Sequence, residues 1–256
     1  KNGKATDEQE SGGGILVYGS GAINLTVRNC RFEGNTAKTG GAINVSNNSA
    51  KVTLENCTFV NNTDTDGSGA VYDIGAITLK NCTFTGNTGG LYIGSSYVSP
   101  ESVNINYCTF VNNNASNGNE ITYEGALTVK NSIVYGSLSS NVTLSNCLSK
   151  DSVLIPSLPV SEDVKDKNGY VNHTVFRKYA QLFNAIDKGN DTSVTVDQLS
   201  NDVTDKHDIG AVEITQLQNV TVSFSSAPTA LTVTQGATAT TAAYSATATA
   251  TYSDNS

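Results

Sequence analysis

VTLENCTFVNN, residues 52–62, decides the architecture of this chain. Side chains along a strand alternate faces, so Val52 and Leu54 share one parity while Cys57 and Phe59 share the other. The phase flips at Asn56, and Asn is the non-glycine residue that best tolerates the left-handed backbone of a sharp bend. The phrase therefore predicts two short strands meeting at an asparagine corner.

The same phrase recurs on both sides. It reads LTVRNCRFEGN at 25–35, ITLKNCTFTGN at 77–87 and VNINYCTFVNN at 103–113, with shorter copies LTVKNSIVYG at 127–136 and VTLSNCLSKD at 142–151. Cys30, Cys57, Cys82 and Cys108 lie 27, 25 and 26 residues apart, and Ser132 takes the place 24 further on. A fixed period of this size means one solenoid coil per repeat. The gap of 15 from Ser132 to Cys147 is short for a coil and marks a narrowing or end. A third strand per coil is expected after the glycines of GGAINV (40–45), SGAVYDI (68–74) and GGLYIG (89–94), with Ile43, Val45, Val71, Leu91 and Ile93 turned inward. The outcome is an all-β chain, a parallel β-helix.

Asn29, Asn56, Asn81, Asn131 and Asn146 should stack along one corner at about 4.8 Å per rung, interrupted by Tyr107, and Asn35, Asn62, Asn87 and Asn113 along a second. Both columns read as structural. The five cysteines occupy one inward position of the repeat and show neither C-x-x-C nor Cys/His spacing, so no metal site and no disulfide is expected, only buried thiols.

Composition agrees with many short strands: 23 Gly, 4 Pro, no Trp, no Met and 38% hydrophobic residues in 256. The polar first eleven residues and the missing Met suggest part of a longer polypeptide. A formal charge of −8 argues against nucleic acid as a partner, and no apolar run approaches the roughly 18 residues needed to cross a bilayer.

GGAI at 40–43, together with FEGN, FVNN, FTGN and FVNN starting at Phe32, Phe59, Phe84 and Phe110, resembles the repeats of polymorphic outer membrane proteins and related adhesin-like β-helices. The resemblance covers roughly residues 12–150 and implies a right-handed coil, display outside the cell, and often adhesion. AIDKGN at 185–190 and DIGAVE at 208–213 resemble the closing segment of choice-of-anchor surface proteins, with Val212 where an aromatic is usual and a helix-like stretch at 174–187 before it. From Asn219 the Ala/Thr/Val alternation resembles the start of a bacterial immunoglobulin-like module. Three parts follow: β-helix repeats at 1–150, a capping segment at 151–216 that should hide the terminal rung, and a partial module or linker at 217–256.

For function, these features imply an extracellular or cell-surface adhesin-like domain whose partner is a glycan or a protein, with a passive stalk and a polysaccharide lyase or hydrolase as alternatives. Tyr72 and Tyr92, outward on adjacent rungs with Asn44 and Asp73 nearby, are the candidate binding residues. Asp64, Asp66 and Asp73 in NTDTDGSGAVYD could offer oxygen ligands to Ca²⁺, the one cofactor considered, although the bland reading is a polar turn. The paired carboxylates of a hydrolase have no recognisable motif here, and His173 and His207 read as polar surface or cap residues. The column of Thr26, Thr53, Thr78, Thr128 and Thr143 is explained by β-propensity on an exposed face.

Overall fold

The computed structural model describes residues 1–5, 11–94, 102–114, 119–123, 125–149, 162–174, 185–203, 206–213, 239–241 and 244–246, with backbone alone at 162–164, 173–174 and in the last two segments. The chain divides into two units, Lys1–Ile214 and Thr215–Ser256. In the second, β23 (Ala239–Thr241) and β24 (Tyr244–Ala246) pair antiparallel. The immunoglobulin-like reading of 217–256 falls almost wholly outside the described residues, as does most of the helix-like stretch at 174–187.

The first unit is built from three parallel sheets, each six strands deep. The first sheet stacks β1 (Ile15–Tyr18), β5 (Ile43–Ser46), β9 (Val71–Asp73), β12 (Leu91–Ile93), β15 (Asn119–Tyr123) and β18 (Ser137–Leu138). The second stacks β2 (Asn24–Arg28), β6 (Lys51–Glu55), β10 (Ala76–Lys80), β13 (Val103–Asn106), β16 (Leu127–Lys130) and β19 (Val142–Ser145). The third stacks β3 (Arg31–Glu33), β7 (Thr58–Val60), β11 (Thr83–Thr85), β14 (Thr109–Val111), β17 (Ile133–Tyr135) and β20 (Leu148–Ser149). Six rungs of three strands result. The short gap before Cys147 belongs to a narrowed sixth rung, the last among the described residues: β18 and β20 have two residues each, and β19 and β20 pair in register with β16 and β17.

Every corner between the second and third sheets is left-handed: φ is 53° at Asn29, 52° at Asn56, 50° at Asn81, 50° at Tyr107, 47° at Asn131 and 54° at Asn146. The amides form a ladder in which Asn56 Nδ2 donates to Asn29 Oδ1 and Asn81 Nδ2 to Asn56 Oδ1, each at 3.2 Å. Tyr107 leaves a gap that Asn106 fills, accepting at 2.9 Å from Asn131 Nδ2. Because only Gly and Asn enter this region cheaply, Asn56→Gly should be milder than Asn56→Ala, which we expect to lower unfolding stability by about 1 kcal/mol or more. Urea denaturation of the two variants gives the order.

The second ladder is buried and more tightly bonded. Asn62 Oδ1 accepts from both Asn35 N and Asn35 Nδ2, at 3.1 and 2.8 Å, and the pattern repeats from Asn62 to Asn87 and from Asn87 to Asn113. Each Nδ2 from Asn62 onward also donates to a phenylalanine carbonyl one rung back. The ladder ends on Glu120, whose carboxylate accepts from Asn113 N at 3.2 Å and from Asn113 Nδ2 at 2.5 Å. Ser137 stands where the next Asn would be. A Cβ on Gly136 would lie 2.4 Å from Glu120 Cγ, so the glycine makes room for this terminator.

Inside, Phe32, Phe59, Phe84 and Phe110 stack with ring centroids 5.0, 4.5 and 4.7 Å apart. The free thiols of Cys57, Cys82 and Cys108 are buried, and each donates to the carbonyl two residues back. Cys30 in the first rung is exposed, whereas Ser132 keeps the thiol pattern by donating to Lys130 O at 2.6 Å. Residues at the N-terminus already belong to the stack: Lys4 bridges Thr36, Ser11 bridges Thr39, and Gly3 N donates to Asn35 Oδ1.

The described part of the segment expected to cap the last rung lies along the flank of the coil. A strap formed by 165–172, 185–203 and 206–213 runs along the corner between the second and third sheets. Lys188 O accepts from Asn146 in the sixth rung, Asn190 N donates to Asn131 in the fifth, and Tyr107 OH in the fourth both donates to Asp191 O and accepts from Asp191 N. Val196 O accepts from Asn81 in the third, while Gln198 spans the second and third, donating to Cys57 O and accepting from Thr83 Oγ1. As a result Thr58, Thr83, Thr109, Val60, Thr85 and Val111, which point out of the third sheet, are buried. A second apolar cluster of Val111, Ile133, Leu148, Ala185 and Ile209 forms outside the coil.

Candidate functional site

Sealing of the third sheet leaves two outer faces. On the first, Leu16, Asn44, Tyr72, Tyr92 and Thr122 are in register, one per rung, and Tyr18 stands beside them on the end strand. Leu16 is 50% and Tyr18 77% exposed. Tyr72 and Tyr92 come together as expected, with ring centroids 5.4 Å apart and planes 17° from parallel. The rings lie on one another along the stack, so one face of each is occupied by the other.

Of the two polar residues placed beside them, Asn44 lies in this column but is closed off, and Asp73 is not on this face. Asn44 is buried: its Oδ1 accepts from Ser46 Oγ at 2.5 Å and its Nδ2 donates to Thr39 O at 3.4 Å. Asp73 is in register with Val45 and Ile93 and points into the core, so its placement on the tyrosine face is corrected. Its Oδ1 accepts from Gly75 N at 2.5 Å to close the corner, its Oδ2 has no partner, and burial pushes its pKa up to about 7.

Asp64, Asp66 and Asp73 do not converge either. Asp64 is a buried turn former, accepting from Gly40 N at 2.6 Å and Ser68 N at 2.8 Å, and Asp66 faces Thr39 across 3.4 Å. The bland reading, a polar turn, describes this loop.

Among the described residues, one group of three metal-competent side chains does converge: Asp187, Asp208 and Glu213, with one oxygen of each within 4.8 Å of the others. It closes the strap on itself. Asp187 N donates to Asp208 Oδ1 at 2.7 Å, Asp208 N to Glu213 Oε2 at 3.1 Å, and Glu213 N to Asp197 Oδ2 at 2.8 Å. Burial, then the charges of Asp208, Asp197 and Asp187, raise Glu213 to about 8, which keeps a proton among these oxygens. Oxygen donors of this kind would also suit a hard divalent cation. His207, read as a surface or cap residue, is buried in the strap, its ring 4.0 Å from that of Tyr107, and desolvation lowers it to about 4.

The family model described as a right handed beta helix region matches residues 4–152, more than half of the chain. The chain belongs to the right-handed β-helix family. It matches no curated protein and no solved structure. The right hand agrees with the sense in which parallel crossovers are almost always made.

Buried carboxyls give this β-helix a definite pH response. Asp73 and Glu120 are both raised to about 7, by burial first. A carboxyl held above its unfolded value contributes fully below that value, near 4, and loses the contribution as pH rises through the folded one. His207 has the opposite sign, contributing above its ordinary 6.5 and losing this as pH falls through about 4. Unfolding stability should therefore fall between pH 5 and pH 8.5. In Asp73→Asn, where the amide mimics the protonated acid, we expect the fall to shrink by about 1.4 kcal/mol or more, one pKa unit's worth. Denaturant titrations of both proteins at the two pH values measure it.

Sequence reasoning missed Glu120, Gln198, Tyr107's role and the DIGAVE carboxylates as a cluster. The outward Val60, Val111 and Ile133 were a signal for the covered face, since apolar residues seldom repeat on an open one. Nothing comparable marked Glu120, a lone acid in NEITY.

Proposed function

We propose that this right-handed β-helix is a surface-displayed, adhesin-like binding domain that holds a glycan or protein ligand on one of its two open outer faces. The observation that carries this reading is the asymmetry of the coil. The strap seals the third sheet over five consecutive rungs and leaves the first and second sheets presented on a scaffold stiffened by two amide ladders and a phenylalanine stack. Rigid parallel strands place outward side chains at a fixed repeat, which suits recognition of an extended partner.

The experiment is incubation of the purified chain on arrays of neutral glycans, acidic glycans and extracellular proteins. A reproducible, saturable ligand supports the proposal. No ligand on any array would turn the reading to a passive spacer, which the self-stacked Tyr72 and Tyr92 favour, and shortened polysaccharide products would turn it to catalysis.

A further inference from the structure

We infer that Cys30 and Cys57 form a site for one soft, two-coordinate cation of the Cu(I) or Ag(I) class, held between the first and second rungs. The inference goes beyond the ligand proposed for the outer faces and does not depend on it. The two cysteines are 27 positions apart, but register sets one above the other. Arg28 pairs with Glu55, Arg31 pairs with Thr58, and Thr58 N donates to Cys30 O at 2.9 Å. No C-x-x-C spacing marks such a pair, because its ligands meet across rungs and not along the chain.

Cys30 Sγ donates to Arg28 O at 3.2 Å, while Cys57 Sγ lies 3.2 Å from Glu55 O and also reaches back to 3.5 Å from Val27 O in the first rung. Neighbouring rungs are about 4.8 Å apart. Two metal–thiolate bonds of about 2.3 Å each, the length found for zinc, place collinear sulfurs about 4.6 Å apart. Among the described residues no third His, Asp, Glu or Cys converges on the pair, so a tetrahedral ion is not served. Thiolates select soft cations, and closed-shell monovalent ones accept two donors in line.

Cys30 is exposed and Cys57 is buried behind it, so the ion enters through the first rung. Burial, then the charge of Cys57, raises the Cys30 thiol, which means that the pair does not ionise twice without a cation to share. Binding breaks both S–H bonds, forms two sulfur–metal bonds, releases two protons to solvent and leaves one negative charge on the complex. The other thiols lack one half of this arrangement. Cys82 and Cys108 are both buried, and half-buried Cys147 has Ser132 on the adjoining rung, whose N donates to its Sγ at 3.3 Å.

The test titrates the whole chain with Ag(I) against an excess of a small monothiol, under phosphine reductant and without oxygen, and counts bound ions by native mass spectrometry. The proteins are the unaltered chain, Cys30→Ser, Cys57→Ser and Cys147→Ser. Serine fits this position, since Ser132 occupies it on the fifth rung and donates to Lys130 O at 2.6 Å as the thiols donate to their carbonyls. Circular dichroism checks each fold, and Cys57→Ala repeats the buried substitution with a side chain that needs no hydrogen bond. The unaltered chain should retain one Ag(I), and affinity should fall about 100-fold in Cys30→Ser and equally in Cys57→Ser, the lower end of what a second tethered ligand adds. Cys147→Ser should bind as the unaltered chain does. No ion retained against the monothiol, a loss confined to Cys30→Ser, an equal loss in Cys147→Ser, or a Cys30–Cys57 disulfide in the isolated protein overturns the inference. Arrays that show no glycan or protein ligand leave it standing, so the two readings fail separately.

Discussion

Asn87→Ala should lower the free energy of unfolding by about 3–5 kcal/mol, the scale on which several buried polar groups lose partners together. Asn87 sits in the middle of the buried ladder, where its Oδ1 accepts from Asn62 N and Asn62 Nδ2 and its Nδ2 donates to Phe59 O and Asn113 Oδ1. Truncation leaves Asn62 N and Phe59 O without these bonds at a site closed to water. Asn87→Asp should be no better, because an oxygen would then face Phe59 O and Asn113 Oδ1 at distances of 2.9 and 2.7 Å. By contrast Asn29→Ala, at the exposed end of the other ladder, should cost about 1 kcal/mol. Equilibrium urea unfolding followed by circular dichroism tests the contrast, and equal losses at positions 29 and 87 would show that the buried ladder has no special weight.

Phe84→Ala is expected to be comparably severe, at about 3–5 kcal/mol, the usual range for truncating a buried aromatic. Phe84 is fully buried and has rings stacked on both faces, at 4.5 Å from Phe59 and 4.7 Å from Phe110. The cavity cannot collapse easily, since the rungs above and below are held apart by the in-register strands β7, β11 and β14. Phe32→Ala should cost less, because Phe32 has a ring on one face only and ends the stack. Thermal unfolding of the two variants gives the order, and a larger shift for Phe32 would contradict it.

The coil itself was legible because its rules are local. A change of parity at Asn56 and a period near 26 are properties of neighbouring residues, and the structure returns them as a left-handed corner and a stack of rungs. The alternation that turns Tyr72 out turns Asp73 in, so a carboxylate next to a surface tyrosine in sequence lies on the opposite side of the sheet. Burial of such a carboxyl is tolerated because it closes a corner with Gly75 and is raised toward neutrality.

The strap was not legible for a different reason. It has no strand of its own between 185 and 213 among the described residues, and it is held by single contacts such as Gln198 to Thr58 and Tyr107 to Asp191, separated by 140 and 84 positions. No periodicity records pairings of that kind. The DIGAVE motif was visible, but its task of joining Asp187, Asp208 and Glu213 under hydrogen bonds along the flank became apparent only in three dimensions.

The central claim is that one side of the solenoid is sealed by this irregular strap while, among the described residues, no such segment covers the other two. Amide hydrogen exchange followed by mass spectrometry tests it directly on the peptides spanning 185–213. These residues lack regular structure, yet Gly210 N donates to Asn131 O, Asp191 N to Tyr107 OH and Gln198 N to Ala211 O, all at 2.9 Å. They should exchange nearly as slowly as the strands of the third sheet, with protection lost together in Tyr107→Ala. Exchange at the rate of an unstructured peptide, with the third sheet still protected, would contradict the account.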